Sequence, residues 1–488
     1  MLNKRQFMAT AGLGLGGLMA GCAPRADSLG DPRIAVDGWT PLDNLPSPDV
    51  PVNPLLDDIQ RRAFRFFWET TDPKTGLAPD RGPTPSFASI AAIGYALTAY
   101  PIGASHGWVT RAAARDRTLA TLEFLAAAPM GEGEGTSGYR GFFYHFLGVT
   151  KGLRFARAEL STIDTALLMA GVLFAQSWFD RADDPAEARI RALAEQLYTA
   201  IEWPWATPRA PLVSMGWHPE SGFIPSDWDI YNEGMILYIL GLGSPTHPLA
   251  DGTWQAWTER FEPSWGNRWG EPHLQFAPMF GHQYSHVWVD FRGIQDGYIA
   301  GKGIDYFENS RRATYAQRAY AIENAGGWVG YGADCWGLTA CDGPGDFPMT
   351  IAGRKRDFFS YSARGPGERD DGTLAPTALL GSLPFAPEIV EPAVSAIYAR
   401  YGAGVYDKYG FLDSFNPTLT ARPPERLKHG EIRPGVGWVD KDYLGIDQGP
   451  IVAMIENHRS GLVWKTMQRN PHIRRGLARA GFSGGWLG

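Results

Sequence analysis

The chain has 488 residues, of which 44% are hydrophobic and 20% charged, and its net charge is −7. That length can bury a large core, and the acidic balance argues against nucleic acid as a partner, since such partners favour a basic face. Aromatic residues make up 13% (Trp 18, Tyr 19, Phe 25), enough to offer flat apolar platforms to a ligand as well as to fill a core.

Residues 1–21 read as an export signal. Lys4-Arg5 precede an apolar, glycine-rich run from Ala9 to Ala20 that is too short to span a membrane. The run ends in Leu18-Met19-Ala20-Gly21-Cys22, which resembles a bacterial lipoprotein signal, with Cys22 as the lipidated first residue; a plain secretory signal is the alternative. Residues 22–53, rich in Pro, Asp and Gly, read as a tether. A single domain is expected over residues 54–488. The expected location is the periplasmic face of the outer membrane or the cell surface, held by the lipid, and a monomer is expected.

Taken in order, hydrophobic periodicity predicts helices over Leu55–Thr70, Phe87–Tyr100, Trp108–Ala127, Ser161–Trp178, Pro185–Ile201 and Asp229–Gly241. Further helices are predicted over Trp254–Phe261, Asn309–Asn324, Leu374–Leu383, Pro387–Tyr401 and Gly449–Ser460. Gly141–Phe146 reads as a short strand, with Arg154–Ala156 as its hairpin partner. Apolar helices alternate with more polar ones, and long aromatic and glycine-rich loops lie between them. This suits an all-α toroid of helix pairs, an α/α barrel with loops and short β-hairpins at one mouth.

Cys335 and Cys341 follow Cys22. In an oxidising compartment they are candidates to close a small disulfide loop, with two free thiols as the alternative. No C-x-x-C or H-E-x-x-H spacing occurs, so neither a catalytic metal nor a cofactor is expected.

Several acids sit where apolar helices begin. Glu233 falls on the stripe of Ile230, Leu237 and Leu240, where a carboxylate must be paired, protonated or used. A structural Glu bonded to backbone is the plainer reading. Ser161-x-x-Asp164 has the form of a capping box, and Glu159 lies just outside that helix. In Gly445-Ile446-Asp447-Gln448-Gly449-Pro450, Asp447 reads as the N-cap with Pro450 in the first turn. Asp371 reads as another helix start. Asp413, between Leu412 and Ser414, has no helix to cap and is otherwise a turn aspartate. His282, Tyr284, His286, Trp288, Asp290 and Arg292 crowd one segment, suited to a hydroxyl-rich ligand or to a satisfied buried network. Trp336 adds a second aromatic loop. Cleaving a glycosidic bond takes one carboxylic acid to protonate the leaving oxygen and a second carboxylate on the other side, about 6.5–9.5 Å away in an inverting enzyme.

The blocks Pro83–Ile90, Glu159–Ala166, Tyr231–Glu233, Leu242–Pro248, Gly281–His286 and Gly445–Pro450 resemble the bacterial glucoamylase-like family, which includes β-1,2-glucan hydrolases. The likeness runs from about Leu55 to Trp464. It implies a single (α/α)6 barrel and an inverting glycosidase acting on β-1,2-glucan or sophoro-oligosaccharides. It implies Glu233 as general acid, with Asp413 the first choice of base and Asp164 and Asp447 behind it. Glu159, Tyr231, Asn232, His282, Tyr284, His286, Trp288, Asp290, Arg292 and Trp336 are then expected to bind substrate. Phe146-Leu147-Gly148 departs from the acidic residue expected there. Two other readings stand beside this one. A polysaccharide lyase would use His286 or Tyr284 as base and Arg292 against a uronate. A non-catalytic glycan-binding lipoprotein would have no use for Glu233.

Overall fold

The computed structural model describes residues 53–488; the signal, Cys22 and nearly all of the tether lie outside the described residues. Asn53 opens α1 (Pro54–Thr70) by accepting a bond from the Leu55 N–H, with Pro54 where a missing N–H costs nothing. There follow α2 (Ile90–Ser105), α3 (Arg111–Ala126), α4 (Thr162–Trp178), α5 (Pro185–Thr199) and α6 (Met235–Gly243). Then come α7 (Thr253–Thr258), α8 (Tyr284–Trp288), α9 (Tyr306–Glu323) and α10 (Pro376–Leu380). The last are α11 (Pro387–Val405), α12 (Gly445–Arg459) and α13 (Pro471–Ala480).

The even-numbered helices form an inner ring. α2 packs on α4, α4 on α6 and α6 on α8; α8 and α10 both pack on α12, which closes the ring against α2. Odd-numbered helices lie outside: α1 against α12 and α2, α3 against α2 and α5, α5 against α4, α11 against α10. α13 covers the outer side of α6. This is the expected (α/α)6 barrel.

The inner helices are buried all round because their sequences are apolar all round. Every residue of α6 is buried, as is α2 from Ile90 to Gly103. α2 and α4 approach closely where neither carries a side chain. A Cβ on Gly94 would lie 2.4 Å from the Leu167 carbonyl oxygen, and one on Gly171 only 2.0 Å from that of Gly94. Outer helices keep a polar face: α1 buries Leu56, Ile59, Ala63, Phe66 and Phe67 and turns its charges outward.

Short antiparallel ribbons feed the chain into the inner helices at one mouth. Ala88–Ser89, paired with Phe146–Leu147, leads into α2. Leu160–Ser161, paired with Gly216–Trp217, leads into α4, and Tyr443–Leu444, paired with Arg81–Gly82, leads into α12. N-termini of inner helices are thereby collected at one rim.

The structure departs from the sequence reading at several points. α2 runs through Pro101 to Ser105 instead of stopping at Tyr100, because the helix is enclosed by neighbours that hold it past the proline. α6 begins at Met235, six residues later than expected by its lower bound of Asp229, because Asn232 builds a turn there. The expected hairpin is reduced to a single antiparallel bridge between Leu147 and Arg154, flanked by bonds from the Phe155 N–H to the Phe146 carbonyl at 2.9 Å and from the Gly148 N–H to the Leu153 carbonyl at 2.8 Å. Asp371 does not start a helix but pairs with Arg364 at 2.8 Å, both side chains fully buried. Cys335 and Cys341 are free and buried, so the disulfide expectation is corrected. Cys341 Sγ faces the Arg364 guanidinium at 3.4 Å, whereas Cys335 closes a tight turn on Gly332 through reciprocal backbone bonds of 3.1 and 3.3 Å. The two thiols are held in separate surroundings. Among the described residues, no helix is long and apolar enough to cross a membrane.

Candidate active site

Glu233 sits in the turn before α6. The Asn232 side chain donates to the carbonyls of Asp229 and Ile230 at 2.6 and 2.7 Å and accepts from the Gly234 N–H at 2.8 Å. Ser285 at the start of α8 ties the turn down: its Oγ donates to the Glu233 carbonyl at 2.8 Å and accepts from the Ile236 N–H at 3.0 Å. Glu233 is thereby placed just ahead of an apolar helix, 4% exposed. It does not lie on a helical stripe with Ile230.

Asp413 and Asp447 form a second acidic group. Asp447 stands in the first turn of α12 and does not cap it. Asp413 Oδ2 accepts from the Asp342 N–H at 2.8 Å. The two carboxyls hydrogen-bond to each other, and both titrate above the ordinary carboxylate range. Burial is the main cause for each; Asp342 pushes both further up, and Asp80 adds to the rise at Asp447. Among the described residues Asp413 Oδ1 and Asp447 Oδ2 receive no donor, which one proton held between the carboxyls would supply.

Around this pair the chain gathers further acids. Ser414 Oγ donates to the Asp342 carbonyl, and the Asp440 N–H to that of Ser414, which stitches the acidic loops together. Arg81 pairs with Asp342 and lies 3.3 Å from His429 Nδ1. Asp342, His429 and Asp440 offer ligand atoms within 4.8 Å of one another, but the Arg81 guanidinium already places positive charge there.

Asp164 and Glu159 flank the start of α4. Half of the expected capping box is present: Ser161 Oγ accepts from the Asp164 N–H at 3.2 Å, while the Asp164 carboxylate accepts from the Ser161 hydroxyl. His145 lies between the two acids, with Nδ1 2.8 Å from Glu159 and Nε2 3.5 Å from Asp164. Burial opposes the charge on His145, but Asp164 and Glu159 outweigh it and hold the imidazolium up to about 9. Burial likewise opposes the charge of Glu159, yet His145 draws it down to about 2.

Tyr284 connects the two sides. Burial raises its hydroxyl well above the usual range, and Asp447 and Glu233 both add to the rise. Tyr95, from α2, is likewise raised by burial and then by Asp447 and Asp164. Its buried hydroxyl has no hydrogen-bond partner among the described residues, and its ring stacks on Trp288 at 5.1 Å. Tyr361 is raised by burial and by Asp447 and Asp413. His145, Tyr95, Tyr361, Asp342 and Asp440 belong to this cluster and were not singled out from sequence. Tyr95 carries no local signal, being one aromatic in an apolar helix.

The remaining sequence candidates are placed elsewhere. Tyr231 is wholly buried, with its hydroxyl 3.1 Å from His282 Nδ1. His282 reaches the Phe276 carbonyl, and His286 pairs with Ser310 Oγ at 3.0 Å. Burial pushes both imidazoles down to about 3, so they stay neutral, and His282 braces the turn that carries Glu233 through Tyr231. Trp288 donates to Thr98 from inside the core. Asp290 and Arg292 pair at 2.7 Å, with Gln468 on Asp290 and Trp464 under Arg292. That region is held by Asn457, whose side chain donates to the Val287 carbonyl. Asn457 is ten residues along α12 from Asp447, about 15 Å of helical rise from the mouth. His286, Tyr284 and Arg292, the set a lyase would use, are therefore not gathered. Trp336 is fully buried in the core.

Comparison with known proteins places this arrangement. A family described as "Putative glucoamylase" matches residues 225–471. A structure named likewise, from Bacteroides uniformis, is 31% identical with a TM-score of 0.76, over 90% of this chain and 100% of that one. The endo-β-1,2-glucanase of Chitinophaga pinensis, solved with sophorotriose and glucose, is 26% identical with a TM-score of 0.73, again over 90% and 100%. A curated relative, the exo β-1,2-glucooligosaccharide sophorohydrolase (non-reducing end) of Parabacteroides distasonis, is 28% identical over 460 residues. That match takes in 87% of this chain, which spans 57% of the relative's length.

Proposed function

The chain belongs to the glucoamylase-like family, and from that premise we propose that it is a glycoside hydrolase cleaving β-linked glucan, with β-1,2-glucan or sophoro-oligosaccharides as substrate. The observation that carries this is that Glu233 and Asp447, the latter coupled to Asp413, both bear on the buried Tyr284 hydroxyl. The names of the relatives point to the same substrate class. Glu233 donates a proton to the leaving oxygen. The aspartate couple withdraws one from the attacking water, directly or through a substrate hydroxyl, and the anomeric configuration inverts. Neutral buried Tyr hydroxyls beside the acids can bond to sugar hydroxyls without adding charge.

The test is a panel of β-1,2-, β-1,3-, β-1,4- and α-linked glucans, with products identified by linkage and by their first-formed anomer. Cleavage of β-1,2-glucan with an α-anomer formed first supports the reading. Cleavage confined to another linkage overturns the substrate, and a β-anomer formed first overturns the mechanism.

The Leu18–Cys22 pattern supports a lipid anchor on Cys22 that holds the enzyme at the periplasmic face of the outer membrane or at the cell surface. Mass spectrometry of the mature N-terminal peptide tests this, and an unmodified Cys22 peptide refutes it.

A further inference from the structure

His145 is fixed from both sides by its backbone. Its N–H donates to the Glu159 carbonyl at 2.8 Å, and its own carbonyl accepts from the Ile90 N–H at the start of α2 at 3.3 Å. The ring is held parallel to Phe146, with centroids 3.8 Å apart and planes at 19°. Each ring nitrogen faces a different carboxylate: Glu159 at 2.8 Å and Asp164 at 3.5 Å. A neutral imidazole has one N–H, so it would turn a lone pair toward one of these acids; only the doubly protonated ring suits both. Asp80 adds a third negative charge nearby. Beyond Glu159 stand His218 and then Arg154 and Glu220.

We propose that His145 is a positioning residue, an imidazolium shared by Glu159 and Asp164 that fixes both carboxylates at the rim beside the Asp413–Asp447 couple. It deepens the hydrolase reading and rests on it. Without the shared cation, Glu159 and Asp164 would repel each other and turn apart, losing the geometry with which they meet sugar hydroxyls. Phe146 covers one face of the ring and shields the clamp from water.

The experiment combines a titration with kinetics on the full mature chain. NMR of the His145 side chain, assigned by difference from the His145→Gln variant, is followed from pH 5 to 10.5. The expected midpoint is near 9, falling by at least one unit in a Glu159→Gln, Asp164→Asn double variant. A midpoint at or below the ordinary histidine value overturns the clamp whatever the activity. In kinetics on β-1,2-glucan, the parent's kcat/KM is expected to fall on the alkaline side with that same midpoint. His145→Gln should have at least tenfold lower kcat/KM at pH 7 and lack that alkaline fall. Parental kcat/KM in His145→Gln across the range overturns the positioning role. If the parent cleaves no glucan, the hydrolase reading fails, and the titration still decides the clamp.

Discussion

The carboxyls of Asp413 and Asp447 are hydrogen-bonded to each other in a site where both are buried. Two carboxylates can make that contact only when one of them carries a proton. Burial and the surrounding aspartates favour that proton, and Asp447 is pushed up to about 7. The couple is a base only after the proton leaves. We therefore expect kcat/KM to fall on the acid side with a midpoint well above the ordinary carboxylate range. Asp447→Asn removes the neighbouring charge from Asp413 and should move that acid limb to lower pH. A pH–rate profile of parent and variant checks both the position and the sign.

Glu233→Gln keeps the size of the side chain and the Ser285 and Asn232 bonds to the turn backbone, so the fold should survive. Loss of a general acid is expected to lower kcat by about 10²–10⁴-fold. Turnover assays beside thermal denaturation check it, and near-parental turnover would remove Glu233 from the acid role.

Tyr95→Phe deletes a buried hydroxyl that has no partner among the described residues. Stability should hold or rise slightly, since an unsatisfied polar atom leaves the core. If the hydroxyl bonds to substrate, kcat/KM should fall by about 3- to 10-fold, the worth of one ordinary hydrogen bond. Denaturant unfolding and steady-state kinetics measured together separate the two effects.

Gly449 gives Tyr95 its room: a Cβ there would lie 2.1 and 2.2 Å from ring carbons. Gly449→Ala should destabilise the protein by about 1–3 kcal/mol through overpacking. It should also displace Tyr95 and so lower activity more than Tyr95→Phe does. Equilibrium unfolding and kcat/KM read the two consequences.

The His145–Glu159 contact makes stability depend on pH at both ends. His145 is raised from 6.5 to about 9, so its contribution is full below 6.5 and lost as pH rises through 9. Glu159 is lowered from 4.5 to about 2, so its contribution is full above 4.5 and lost as pH falls through 2. The clamp should therefore stabilise most between pH 4.5 and 6.5. Unfolding free energies of parent and His145→Gln should differ most in that window and converge toward pH 10.

Burial raises the Cys335 thiol to about 12 and lifts the Cys341 thiol well above its usual range. Alkylation of the native protein should leave both unmodified, while alkylation in denaturant without reductant should label both. Peptide mapping reads this, and a disulfide would leave both unlabelled in denaturant.

By itself the sequence determined the alternation of apolar and polar helices, and with it the double-walled ring, because a helix apolar on all sides can only be enclosed. It also marked Asp164 and Asp447 at helix starts, since capping and first-turn patterns are local. Which groups meet was decided by the tertiary structure alone. Asp413 finds Asp447 only when Tyr443–Leu444 pairs with Arg81–Gly82 and seats α12 in the ring. His145 reaches Glu159 and Asp164 only across separate ribbons. The compact run His282–Arg292 misled for the same reason. Adjacency along a chain says little about depth: Tyr284 meets Asp447 and Glu233, whereas Val287, three residues on, packs at Asn457 further along α12. Protonation and charge sharing depend on distance and burial, which exist only once the ring has closed.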